Sequence, residues 1–155
     1  MMNRFLSLLS LIIFLTGCAA ATPRTAEQET SFFLARYNKT WETTQLVLGK
    51  QSIPIASMDE SKGLITTKPV IYSVGEKAHH AVEDIAYRPE VFLGLYTKVR
   101  YDYTIQVIPS GEMSTQIKVT ANIEAYDKNV THTWHSCRSK NVVERNLLEK
   151  IRAEL

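Results

Sequence analysis

The chain predicts an α+β domain in two layers, with an antiparallel sheet of about five strands packed against N- and C-terminal helices. Two observations carry this. Residues 95–107 and 113–126 alternate apolar and polar side chains throughout, the period of strands with one buried and one wet face. Segments near the two ends instead place apolar residues three and four apart, the period of a helix lying on a core.

The first helix is expected over residues 27–48. Phe33, Tyr37, Trp41 and Leu48 share one stripe, which Leu34 and Val47 widen, and Gly49 is the expected C-terminal cap. On that stripe Trp41 belongs to the core. A strand follows over residues 51–58. Pro54 has no N–H, so this strand lies on a sheet edge or begins at Ile55. Residues 59–63 form a turn. Residues 64–74 form the second strand of a hairpin, with an irregularity at Pro69. Ala78, Val82 and Ile85 have helical spacing and predict a short helix within residues 75–86. Pro89 ends that region, and Gly94 marks the entry to the next strand.

The long hairpin is the clearest feature. Leu95, Thr97, Val99, Tyr101, Tyr103, Ile105 and Val107 face one way. Met113, Thr115, Ile117, Val119, Ala121, Ile123 and Ala125 do the same in the second strand. Burying these faces together requires paired residue numbers to sum to an even value. A tight turn centred on Ser110 then sets Val107 opposite Met113, Asp102 opposite Lys118 and Tyr96 opposite Glu124. Residues 127–129 turn the chain into a fifth strand over residues 131–138. A last helix runs to Leu155 on the stripe Val143, Leu147, Leu148, Ile151 and Leu155. Its start is capped by Ser139 or Asn141, and Asn141 with Glu144 fits a capping box.

Composition narrows function. The chain has 155 residues and a formal net charge of +2, which suits one nearly neutral domain. No concentrated basic stripe is present for nucleic acid. His79-His80 and the group His132, His135 and Cys137 invite a metal reading, but in a strand His132 faces away from the other two. The sequence holds neither a Gly-x-Ser-x-Gly elbow nor a glycine-rich phosphate loop. The expectation is therefore no enzyme, no cofactor and no metal. The wet face of the hairpin collects Tyr96, Lys98, Arg100, Glu124 and Tyr126 near one end, a composition enriched at protein interfaces. The competing reading is an ordinary solvated sheet face.

Residues 1–18 carry a resemblance. Arg4 is followed by an apolar run from Phe5 to Leu15, too short to span a bilayer, and then by Leu15-Thr16-Gly17-Cys18. This resembles the signal peptide and lipobox of bacterial lipoproteins. The resemblance implies removal of residues 1–17 and diacylglyceryl transfer to the Cys18 thiol. Residues 18–27 become a tether and residues 28–155 the domain. Ala19 and Ala20 follow the cysteine with no Asp, which implies a periplasm-facing anchor in the outer membrane. In a host with one membrane, it implies the exterior of the cell membrane. The alternatives are an ordinary signal peptide cut near residues 19–21, and an apolar helix buried in the fold. With Cys18 acylated, Cys137 has no partner within the chain and is expected to be buried.

A second resemblance covers residues 33–151. The helix with Trp41 and Leu48, then Pro54-Ile55-Ala56-Ser57-Met58-Asp59 and Gly63-Leu64-Ile65-Thr66-Thr67, is similar to the BamC-type accessory lipoproteins of the outer-membrane β-barrel assembly machinery. Val142-Val143-Glu144-Arg145-Asn146-Leu147-Leu148-Glu149-Lys150-Ile151 fits their terminal helix. The resemblance implies a helix-grip domain, helices gripping an antiparallel sheet. That family has two such domains behind a long extended docking segment, whereas one domain and a short tether are expected here. The function this implies is a membrane-anchored protein-binding accessory module with an envelope protein partner. The alternatives are a small-molecule or lipid carrier, and a hydrolase whose site assembles only in space.

Overall fold

A computed structural model describes residues 28–155. The expected signal peptide, Cys18 and the tether lie outside the described residues. The elements are β1 (Glu29–Phe33), α1 (Tyr37–Lys50), β2 (Ile55–Asp59), a 3-10 turn (Glu60–Lys62), β3 (Leu64–Thr67), β4 (Val70–Val74), α2 (Ala78–Ile85), β5 (Ala86–Tyr87), β6 (Tyr96–Gly111), β7 (Ser114–Asp127), β8 (Trp134–Ser139) and α3 (Val142–Glu154). Among the described residues the fold is α+β, with one antiparallel sheet of eight strands and three helices.

The long hairpin β6–β7 is the spine. On the outer edge of β6, β3 pairs with residues 104–106 and β4 with residues 98–101. On the outer edge of β7, β1 pairs with residues 115–119 and β8 with residues 123–126. β2 extends the sheet beyond β3, and β5 extends it beyond β8. Pro54 precedes β2, which begins at Ile55 and is an edge strand. One continuous core joins Trp41, Val47 and Leu48 of α1, Ala78, Val82 and Ile85 of α2, and Val143, Leu147, Leu148 and Ile151 of α3. The same core takes Val99, Tyr103, Ile105 and Val107 of β6 with Ile117, Val119, Ala121, Ile123 and Ala125 of β7. The odd-numbered face is thus the buried one, and none of the three helices among the described residues lies on the even-numbered face of the hairpin.

Several expectations need correction. The sheet exceeds five strands for three reasons. Residues 29–33 form a strand rather than the start of the first helix, so Phe33 enters the core from β1 while Leu34 stands 96% exposed. The predicted second strand is split into β3 and β4 at Lys68-Pro69, where proline cannot donate to a ladder. The two residues of β5 add the last strand. Gly49 lies inside α1; Gln51 is the C-cap instead, and Ser52 just after it takes the left-handed conformation, with φ of 55°. The amides of Ser52 and Ile53 bond back to Gly49 O and Leu48 O, both at 3.0 Å, closing a Schellman turn.

The hairpin register differs by four residues from the expected one. Val107 faces Ile117 and Asp102 faces Asn122, while Lys118 faces Gln106. From Lys98 to Pro109 pair numbers still sum to an even value, so over that stretch the faces are as expected. The reason is the turn: pairing continues past Ser110 to Gly111–Ser114, with a bulge, and the chain reverses at Glu112-Met113. Met113, in this turn, consequently stands exposed rather than buried, and Leu95, which precedes β6 at the other end of the hairpin, is exposed as well. The capping box is not formed. Asn141 precedes α3 with φ of 59°, and its side chain caps nothing. Glu144 turns into the core instead and accepts the Ala121 N–H through Oε1 at 3.2 Å.

Candidate functional site: the open sheet face and the groove at its end

Strand pairing aligns side chains in rows across four strands on the face opposite the helices. One row is Val74, Lys98, Tyr126 and Trp134, from β4, β6, β7 and β8. The neighbouring row is Ile71, Arg100, Glu124 and Ser136. Ile71 and Val74 are more than half exposed.

The charged and aromatic members of these rows hold one another. Arg100 Nε donates to Glu124 Oε2 at 2.7 Å, and its guanidinium lies 4.0 Å from the centre of the Trp134 ring. Tyr126 and Trp134 meet edge to face with centroids 5.5 Å apart, and the Lys98 ammonium sits 5.5 Å from the Tyr126 ring centre. Contacts of this kind contribute roughly 0.2–1 kcal/mol each across strands and about 0.5–1 kcal/mol for an exposed cation–π pair. Their larger effect is to fix side-chain rotamers, so that a partner would not have to order them.

Four of the five sequence-predicted interface residues therefore meet: Lys98, Arg100, Glu124 and Tyr126. Tyr96 does not join them. Between Tyr96 and Lys98 the ladder carries a bulge, with Tyr96 opposite Asp127 and Lys98 opposite Tyr126. The extra residue, Thr97, moves Tyr96 to the helix side, where it is 1% exposed. Its ring stacks on His79 and its hydroxyl donates to Pro89 O at 3.0 Å. Burial raises the phenol pKa. Trp134, Ile71 and Val74 were missed by sequence reasoning. Their face could be read only once the register of β4 and β8 against the hairpin was known.

Beside the rows, an open groove of about 740 Å³ runs between the start of α2 and the Asp127 end of the hairpin. Its lining includes His79, His80, Leu95, Tyr96, Lys98 and Lys128. His79 faces donors on both sides, Tyr96 N at 3.3 Å from Nδ1 and Arg88 Nη1 at 3.0 Å from Nε2. Burial, followed by the charge of Arg88, lowers its pKa. Arg88 also pairs with Glu83.

Among the described residues no three His, Cys, Asp or Glu side chains converge as a metal site. No described helix is long and apolar enough to cross a membrane. Cys137 is buried, its thiol donates to His135 O at 3.5 Å, and burial pushes its pKa up to about 12.

No protein-family model matches the chain. No curated protein matches it either. Among solved structures the chain is similar to a DUF4468 family protein from Bacteroides ovatus ATCC 8483, at 11% identity and a TM-score of 0.39. The match covers 70% of this chain and 59% of that one.

Proposed function

We propose that this chain is a non-enzymatic envelope lipoprotein of helix-grip type that binds another envelope protein through its open sheet face. Acylated Cys18 holds it at the outer membrane facing the periplasm, or outside the cell membrane of a one-membrane host. Its role is that of an accessory module in outer-membrane protein assembly or envelope maintenance.

The observation that carries this reading is the pair of rows on the open face. Arg, Tyr and Trp are the side chains most enriched at the energetic centres of interfaces. Here Arg100, Tyr126 and Trp134 are mutually braced and flanked by exposed Ile71 and Val74. The test is co-purification from cells of a specific partner with the acylated protein. Arg100→Ala combined with Trp134→Ala is expected to abolish it while leaving the far-UV spectrum and melting temperature close to wild type. Retention of the partner by a folded double variant would overturn the interface.

The groove favours a second reading, a small-molecule or lipid carrier, because its size falls in the range of ordinary ligand sites. The two readings separate by what co-purifies: a polypeptide sensitive to Trp134, or a small molecule sensitive to groove residues such as Leu95.

A further inference from the structure

Two loops at one end of the sheet are stitched together by a single buried carboxylate. Asp127 accepts the amides of Leu95, Asn129, Val130 and Thr131 and the Thr131 hydroxyl, at 2.6–3.1 Å. Lys128 N bonds to Leu95 O at 2.9 Å, and Asn129 Nδ2 bonds to Leu93 O at 3.0 Å. The tip so built points apolar side chains at solvent. Phe92 is 87% exposed, Leu93 71%, Val130 49% and Leu95 45%. Leu93 has φ of 58°, a backbone region that bulky residues avoid, and the Asn129 bond holds it there. Strain of this kind persists only where the surroundings fix it, often at working surfaces. Here the surroundings present hydrophobic side chains to water.

Apolar residues also stand at the opposite end, where Leu34 and Met113 are exposed. The course of the chain distinguishes the two ends. β1 runs antiparallel to β7, from Glu29 opposite Val119 to Phe33 opposite Thr115. Followed backwards, the chain at Glu29 heads toward the Asp127 end, the end with Phe92 and Leu93. The part of β7 from Val119 to Asp127 is roughly 27 Å long at about 3.4 Å per residue. The segment from Cys18 to Glu29 can extend to roughly 35–40 Å, so an anchor at Cys18 can reach past the tip.

We propose that this tip rests on the bilayer, with Phe92 and Leu93 inserted at the level of the lipid head groups. The proposal rests on the reading of Cys18 as the acylated anchor. The acyl chains supply retention, since each buried CH2 contributes about 0.8 kcal/mol. The tip supplies orientation. It stands the sheet on its Asp127 end and brings the row of Lys98, Tyr126 and Trp134 near the membrane surface, within reach of a membrane-embedded partner.

The test uses the full chain, processed in cells and reconstituted into vesicles of phosphatidylethanolamine and phosphatidylglycerol. A bimane fluorophore is attached through Phe92→Cys or, at the far end, through Met113→Cys; buried Cys137 is not labelled. Lipids bearing a nitroxide on the acyl chain are then added. Severalfold stronger quenching at position 92 than at position 113 is expected. Equal quenching, or stronger quenching at 113, overturns the orientation and leaves the exposed tip to a protein partner. Intact mass of the same protein reports acylation separately, with Cys18→Ser background protein used for labelling if Cys18 is free. Acylated protein without quenching at 92 sinks the tip and keeps the anchor. Unacylated protein with quenching at 92 sinks the anchor and keeps the tip.

Discussion

Tyr103 and Ala121 face each other at the middle of the long hairpin, and the outward N–H of each is taken by a side chain where a neighbouring strand is interrupted. On the Tyr103 side, β3 and β4 are broken at Pro69, and Thr67 Oγ1 accepts the amide at 2.8 Å. On the Ala121 side, pairing with β1 reaches only to Val119 and pairing with β8 starts at Ile123, and Glu144 Oε1 accepts the amide across the gap. The Tyr103 hydroxyl then donates to Val143 O at 3.0 Å, tying α3 to this spot. The spine is thus closed on both edges by side chains, which permits a strand to stop on each edge without orphaning a buried N–H.

Glu144 is expected to make stability depend on pH. Burial raises its pKa, so the folded state holds its proton to a higher pH than the unfolded chain does. Its contribution is most favourable below the unfolded value of about 4.3 and is lost as pH rises through the folded one. Glu144→Gln keeps an acceptor for Ala121 and removes this dependence, so the variant gains on wild type as pH rises from 4 to 8. Glu144→Ala leaves the amide unpaired and costs about 1–3 kcal/mol. Urea midpoints of the three proteins across that pH range decide the matter.

Asp127 should behave in the opposite sense. Burial works against its charge, but the amides of Thr131, Asn129 and Leu95 and the Thr131 hydroxyl hold the carboxyl far below the usual range. Its stabilisation is present above the ordinary carboxylate pKa of about 3.9 and is lost as pH falls toward the folded value. Asp127→Ala should cost about 2–4 kcal/mol, because several charge-assisted hydrogen bonds vanish together. Hydrogen exchange should show lost protection first at Leu95, Val130 and Thr131. Unchanged exchange at these amides would mean that the tip does not depend on Asp127.

Among the described glycines, Gly63 is the least tolerant of a side chain. It has φ of 62°, and an added Cβ would lie 2.0 Å from Val107 O. Gly63 O also accepts the Val107 amide at 2.7 Å. Gly63→Ala therefore combines a left-handed backbone penalty with a clash against a backbone atom, and a loss of more than about 2 kcal/mol is expected in chemical denaturation. A loss below 1 kcal/mol would show that the 3-10 turn shifts freely to make room.

Cys137 should be silent in the native protein. With its thiol buried and its pKa near 12, thiolate is scarce at pH 8. Iodoacetamide should modify it only at the rate of unfolding, and fully in denaturant. Fast native labelling by mass spectrometry would place it at the surface.

Strict alternation made the buried face of the hairpin legible in the sequence, and Pro54 made the edge strand legible. Spacing placed the short helix α2. What stayed hidden had physical causes. The strand Glu29–Phe33 was concealed because Phe33, Tyr37 and Trp41 also fit a helical stripe, and only pairing with β7 overrides that pattern. The register depended on a turn two residues later than the Pro-Ser-Gly signal. Tyr96 changed sides because one bulge residue inverts every side chain beyond it, and bulges leave little trace in alternation. Glu144 satisfied the spacing of a capping box, yet a sheet amide without a partner claimed it. The site rows were half legible, since alternation put Lys98, Arg100, Glu124 and Tyr126 on one face of β6 and β7 while β4 and β8 contribute Ile71, Val74 and Trp134 through long-range pairing.

The central claim, that the open face is a protein-binding surface, is tested most directly by photo-crosslinking in living cells. A crosslinking residue is placed at Ile71 on the open face and, for comparison, at Glu149 on the exposed side of α3. A discrete adduct from position 71 that disappears with Arg100→Ala and Trp134→Ala, and no such adduct from position 149, is the predicted result. The same adducts from both positions, or an adduct at 71 indifferent to the loss of Arg100 and Trp134, would contradict it.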